Sequence, residues 1–290
     1  MPPEGPDDQR PPLGGALDFI PQELRLRIAS GSAIAVVALA MLYWSPAAFI
    51  VLTFLVAVAM TWEWGHIVRD EMPDPAFVAH AAVVLIATVL VLNDMPGWGV
   101  AAAIAGAAAV AALSANSGRA QLSAAGVLYT ALPVVALGWL RSDEPLGFLA
   151  TLYVVLAVAV TDIAAYFSGR TIGGPKLWPA VSPNKTWSGL IGGVTAAALA
   201  GLLFALFTGS GSPGWLASLG LAIGLVAQCG DLAESALKRH FGLKDSGGLI
   251  PGHGGFMDRM DGLVTASILA ALVAFSIDAF APARALLYGS

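Results

Sequence analysis

Charge is scarce in this chain. Asp, Glu, Lys and Arg make up 11% of its 290 residues, where a soluble domain has about 25%. Hydrophobic residues make up 57%, and the mean hydropathy is +0.77. That balance excludes an ordinary water-soluble fold and points to an integral membrane protein. Cysteine is almost missing. Cys229 stands alone, which excludes an internal disulfide and a cysteine-built metal cluster; its apolar surroundings predict a plain buried thiol. Basic blocks are absent and the net charge is −5, so no nucleic-acid partner is expected. There is no HExxH, no zinc-spaced Cys/His set, no GxxxxGK[ST] loop and no GxGxxG after a strand. A GxSxG nucleophile elbow is also missing. The first residues, MPPEGPDDQRPPLGG, lack the basic start and apolar stretch of a signal peptide.

What is present is a series of long apolar segments. A membrane-crossing helix needs about 20 residues, fewer where the bilayer thins. Nine segments qualify: 28–44, 46–64, 76–92, 97–114, 121–140, 146–168, 187–208, 214–237 and 261–281. Turn residues separate them, such as Ser45-Pro46, Pro73 to Pro75, Asn93 to Gly97 and Ser210 to Gly214. The expected fold is all-α and polytopic, with about nine transmembrane helices. Residues 1–27 form a disordered tail and an interfacial segment, and 28–290 form one membrane domain. With the N-terminus in the cytoplasm, every Lys and Arg but Arg141 and Arg284 falls on the cytoplasmic side. Two polar loops, 169–186 and 238–260, then share that side. Gly189 and Gly193 make a GxxxG pair that would let helices approach closely.

Some carboxylates lie where lipid should be. A charge at mid-bilayer costs on the order of 2.5–3.5 kcal/mol by insertion scales. Glu63 sits near a cytoplasmic helix end and reads as an interfacial anchor or something more. Asp278 sits near an outer end and reaches water. Asp162, Asp231 and Glu234 lie in the inner halves of their spans. Asp231 and Glu234 are spaced i, i+3, as are Asp258 and Asp261, so each pair shares a helix face. Paired carboxylates at one membrane level suit a hard cation such as Mg²⁺, which takes oxygen ligands alongside phosphate oxygens. In a purely structural reading, the same acids pair with Lys238, Arg239 and Arg259.

The loops strengthen the first reading. KDSGGLIPGHGGFMDRMD, from Lys244 to Asp261, is too rich in glycine for a stable helix and too charged for lipid. Its glycines can curl backbone NH groups around an anion, although His253 alone is equally an ordinary loop residue. The other loop offers Arg170, Lys176 and Lys185 with Ser182, Asn184 and Thr186. Acids for a cation and glycines and bases for phosphate equip phosphoryl or nucleotidyl transfer. An ion-coupled transporter also carries intramembrane acids, but its sites lie near the midplane.

These residues fall in a familiar order. Ser235-x-x-Lys238-Arg239, Lys244-Asp245-Ser246-Gly247, Pro251-Gly252-His253-Gly254-Gly255 and Asp258-Arg259-x-Asp261 together resemble the signature of phosphatidate cytidylyltransferases. Gly230-Asp231-Leu232-x-Glu234, Asp162-x-x-Ala165-Tyr166, Gly169-Arg170, Ser182-Pro183-Asn184-Lys185-Thr186-Trp187 and Glu63-Trp64-Gly65 are similar too. Ser188 departs from the pattern, where Glu is frequent, and so does Gly262, where Ser is common. The resemblance implies that CTP and phosphatidic acid give CDP-diacylglycerol and pyrophosphate. It implies Mg²⁺, K⁺ as a possible second cation, and a homodimer in the inner membrane with its site facing the cytoplasm. Asp231 and Asp258 match the metal-binding aspartates, and Glu234 and Asp261 are expected to support them. Lys238, Arg239, Lys244, Asp245, His253 and Arg259 join the expected catalytic set. Asp162, Arg170, Ser182, Asn184, Lys185, Thr186, Ser235, Gly254 and Gly255 are expected at the substrates. A CTP-dependent lipid kinase, releasing CDP, remains the chemical alternative.

Overall fold

The computed structural model describes residues 22–69, 72–249 and 254–290. The helices are α1 Gln22–Trp44, α2 Pro46–Val68, α3 Pro75–Leu92, α4 Pro96–Leu113, α5 Ala120–Ser142, α6 Gly147–Thr171, α7 Trp187–Thr208, α8 Pro213–His240, α9 Met257–Ile277 and α10 Pro282–Tyr288. Local chemistry sets their starts. Ser45 and Asp74 cap α2 and α3 by accepting from the amides of Ala48 (3.1 Å) and Phe77 (2.8 Å). Pro46 and Pro75 follow, where a missing N–H costs nothing. Pro96, Pro213 and Pro282 open α4, α8 and α10 in the same way.

Among the described residues eight helices, α2 to α9, are long and apolar enough to cross a membrane, so the polytopic all-α reading holds. α1 is one continuous 23-residue helix from Gln22 to Trp44, with no break near residue 28, and it covers the first expected span. The interfacial segment and the span are therefore one rod where they are described; the proposed tail lies outside the described residues. α9 begins at Met257 and takes Asp258 and Arg259 out of the expected loop. α8 runs on to His240, which shortens the same loop from the other side. The other loop is a small antiparallel hairpin, β1 Lys176–Trp178 and β2 Ser182–Thr186, with Lys176 opposite Thr186.

The helices run up and down, so the C-terminal ends of α2, α4, α6 and α8 meet the N-terminal ends of α3, α5, α7 and α9. α5 is the most enclosed of the eight, and it packs on α2, α3, α4 and α9. α6, α7 and α8 form a second layer built on small residues. A Cβ on Gly189 would lie 2.9 Å from the Ala165 carbonyl, and one on Gly193 2.8 Å from that of Thr161. The GxxxG pair is thus the α6–α7 contact, and it brings Asp162 on α6 level with the hairpin. Tyr153 locks α6 to α8 by donating to the Leu216 carbonyl (2.6 Å).

Candidate active site

A cavity of about 720 Å³ opens at the end of the bundle that carries the hairpin. Asp162, Asp231, Asp258 and Asp261 line it together with Arg170, Lys176, Lys185 and Arg259. A smaller concavity between α3 and α4, about 440 Å³, is walled by Leu90, Met95, Trp98 and alanines and holds no ionisable group. Tyr166, Phe167, Trp178 and Trp187 are exposed around the charged cavity, the aromatic dress of a membrane–water boundary.

Two lysines organise the acids. Lys185 on β2 places its ammonium 2.6 Å from Asp231 Oδ2. It also reaches Gln228, at the side-chain oxygen (3.3 Å) and the backbone carbonyl (3.5 Å). Ser235 donates to the other Asp231 oxygen at 3.3 Å. One turn further along α8, Lys238 pairs with Glu234 (2.7 Å) and with Asp258. The two i, i+3 carboxylate pairs are thus divided between different partners. Asp231 faces the cavity, while Glu234 lies behind it, 3% exposed, with Oε1 free of any hydrogen bond.

Asp258 has its oxygens committed within the chain. Oδ1 takes Lys238, and Oδ2 accepts from the amides of Ser246 and Gly255, both at 3.0 Å. The Ser246 hydroxyl stands 2.9 Å from Asp258 Oδ2 and 3.1 Å from Glu63 Oε2, and its single proton serves one of them at a time. Glu63 is no surface anchor. It is 2% exposed and accepts from the amides of Phe256 (2.9 Å) and Met257 (2.8 Å) at the start of α9. Those amides have no partner within the helix, and the positive end of the helix dipole favours an acid there. Gly254, with φ +83°, lies against Asp258, and a Cβ on Gly247 would come within 3.0 Å of Glu63. Glycine is needed here so that the backbone can close around two carboxylates.

The remaining expected residues divide clearly. Arg170, Asn184, Lys185, Thr186, Arg259 and Asp261 reach the cavity. Thr186 also caps α7 by accepting from Gly189 N at 3.1 Å, and Arg170 donates to the Tyr166 hydroxyl at 2.8 Å. Ser182 stays in the hairpin opposite Trp178. Gly254 and Gly255 act through Asp258. Arg239, Lys244 and Asp245 are exposed outside the lining, with Arg239 donating to the Val181 and Leu243 carbonyls. His253 lies outside the described residues. Cys229 is exposed rather than buried: apolar neighbours in a membrane helix mark lipid as readily as a core. Gln228, Ser246 and Glu63 are the residues that the sequence reading did not place in the site. Gln228 gave one signal, a polar residue one helical turn before Asp231.

The lining acids offer oxygen donors only, which fits a hard divalent cation. Among the described residues no three His, Cys, Asp or Glu side chains converge on one coordination sphere. One or two carboxylates with substrate phosphates are enough for Mg²⁺, so Asp231 and Asp261 fit that demand with Asp258 beside them.

The model of the cytidylyltransferase family matches residues 25–277. A phosphatidate cytidylyltransferase of Brucella suis biovar 1 is 38% identical over 247 residues, covering 85% of this chain and 91% of the relative. The protein of the same name from Staphylococcus haemolyticus is 45% identical over 122 residues, 42% of this chain and 46% of the relative. That from Staphylococcus aureus strain COL is 47% identical over 111 residues, 38% and 43% of the two chains. With its carboxylates, lysines and glycine loop gathered at one end of a membrane bundle, the chain belongs to the cytidylyltransferase family.

Proposed function

We propose that this protein is a phosphatidate cytidylyltransferase of phospholipid biosynthesis. CTP and phosphatidic acid give CDP-diacylglycerol and pyrophosphate. The observation that carries this reading is the charged cavity at the membrane boundary, where four carboxylates face four cations. A phosphatidate oxygen attacks the α-phosphorus of CTP. The bond between that phosphorus and the bridging oxygen to the β-phosphate breaks, and pyrophosphate leaves with the bonding electrons. The attacking oxygen is anionic near neutral pH, so no strong general base is required.

The chain's part is positioning and charge neutralisation. Lys185 and Arg170 hold the phosphatidate head group, with the acyl chains in the surrounding lipid. Arg259 faces the triphosphate from the lining; Lys238 acts behind it by holding Glu234 and Asp258, and Arg239 and Lys244 stand outside the lining. Asp231 and Asp261, with Asp258 beside them and Glu234 behind, would hold Mg²⁺, and K⁺ would be a second cation. The lining carries as many acids as cations, so the incoming phosphates demand added positive charge. A divalent ion, when bound, would supply that charge. The site faces the cytoplasm of the cell's inner membrane, and the working unit is a homodimer.

The test is turnover by detergent-purified protein with CTP, phosphatidic acid and Mg²⁺, reading pyrophosphate, CDP and the lipid product. Pyrophosphate in step with CDP-diacylglycerol is the expected result. CDP with a newly phosphorylated lipid would move the chain to the lipid-kinase chemistry. Asp231→Asn is expected to abolish Mg²⁺-dependent turnover in a folded protein; a folded and fully active variant would overturn the metal assignment.

A further inference from the structure

One buried polar residue in the cavity wall has no part in the chemistry above. Gln228 on α8 is 4% exposed. Its side-chain NH₂ donates to Asp162 Oδ1 on α6 at 3.2 Å, and its side-chain oxygen accepts from the Lys185 ammonium on β2 at 3.3 Å. Lys185 also touches the Gln228 backbone carbonyl at 3.5 Å and Asp231 at 2.6 Å. The amide orientation is fixed by electrostatics. Turned over, it would set NH₂ against an ammonium and oxygen against a carboxylate. One neutral side chain therefore joins three elements and holds a cation and an anion on opposite ends.

We propose that Gln228 is a positioning residue that sets Lys185 for the lipid phosphate. A lysine with one strong partner closes onto it. Lys185 beside Asp231 alone would collapse into that ion pair and turn its charge away from substrate. Three acceptors around the ammonium, two of them from Gln228, spread its protons and hold it at the cavity wall. Asp162, anchored by the other end of the amide, keeps the amide from rotating. The inference rests on the assignment of Lys185 to the phosphatidate head group.

The test uses the full-length protein in detergent. Gln228→Met keeps the volume and removes both side-chain hydrogen bonds. It is expected to raise KM for phosphatidate roughly tenfold, the cost of one lost bond to a charged group, while KM for CTP stays within about twofold. An unchanged KM for phosphatidate would overturn the proposal. Gln228→Glu removes the donor and sets two carboxylates against each other, Asp162→Asn keeps an accepting oxygen but removes the anion, and together they exchange amide and carboxylate at constant net charge. The double variant is expected to regain most of the KM lost by Gln228→Glu; losses that simply multiply would overturn the bridge. The thermal midpoints of the same variants keep this separate from the functional reading. If the wild type makes no CDP-diacylglycerol, the assignment of function fails. The bridge then stands on a midpoint for the double variant above the sum of the single shifts, and falls if the shifts add.

Discussion

Lys238 shows how much a single charge can hold together. It is a half-turn from the bundle's end, its side chain is 10% exposed, and it faces Glu234 and Asp258 at once. Glu234 is more buried still, with one oxygen already lacking a partner. Removing the lysine leaves two carboxylates with no cation between them. Breaking a buried pair in this way typically costs about 3–5 kcal/mol, far more than the pair itself contributes. Lys238→Met is therefore expected to lower the thermal midpoint of the purified protein sharply. Adding Glu234→Gln to it should recover part of the loss, because the deeper carboxylate no longer needs a counter-charge. A Lys238→Met variant as stable as the wild type would show that water or ions reach these acids freely.

At the scale of helices, the α6–α7 contact decides where the site lies. Gly193 is the sensitive position, because an added methyl would press on the backbone carbonyl of Thr161. Overpacking of this kind costs about 1–3 kcal/mol. Gly214, near the start of α8, has nothing within 4 Å of a built Cβ. There alanine should gain about 0.5–1 kcal/mol of helix propensity. Gly193→Ala is expected to lower both the thermal midpoint and turnover, and Gly214→Ala to lower neither. Equal effects at the two sites would remove the tight contact from the argument.

The same elements show what the sequence made legible. Helix borders could be read because prolines and capping residues mark them, and the glycine signature could be read because its order is distinctive. The hairpin could not: its strands have three and five residues and show no alternation of apolar and polar positions. Glu63 could be noticed as a charge out of place, but its partners lie 183 to 194 residues away. No local pattern encodes such a distance. Gln228 was hidden for the same reason, since one amide in an apolar run does not announce an anion on α6 and a cation on β2. Asp231 and Glu234 share a helix face by spacing, yet two lysines from different places draw them apart.

For the whole molecule, the distribution of Lys and Arg predicts which end of the bundle faces the cytoplasm. The fold puts Arg69, Arg119, Arg170, Lys176, Lys185, Lys238, Arg239, Lys244 and Arg259 at or near one end, and Arg141 and Arg284 at the other. Arg141 is held there by donation to the Leu42 carbonyl (2.9 Å) and by Glu144 (2.5 Å), so its place at that end is structural. Lys and Arg are retained on the cytoplasmic side during insertion, which predicts that the charged cavity faces inward. Thiol labelling tests this without depending on activity. The exposed Cys229 is first replaced by Ser. A single cysteine is then placed at Thr171, exposed at the end of α6, or at Asn93, exposed at the turn after α3. A membrane-impermeant maleimide is expected to reach Thr171→Cys only in inside-out vesicles and Asn93→Cys only in right-side-out ones. The opposite pattern would turn the protein over and place the cavity outside. Labelling of both from one side would contradict the up-and-down order of α4 to α6, because three crossings separate the two positions.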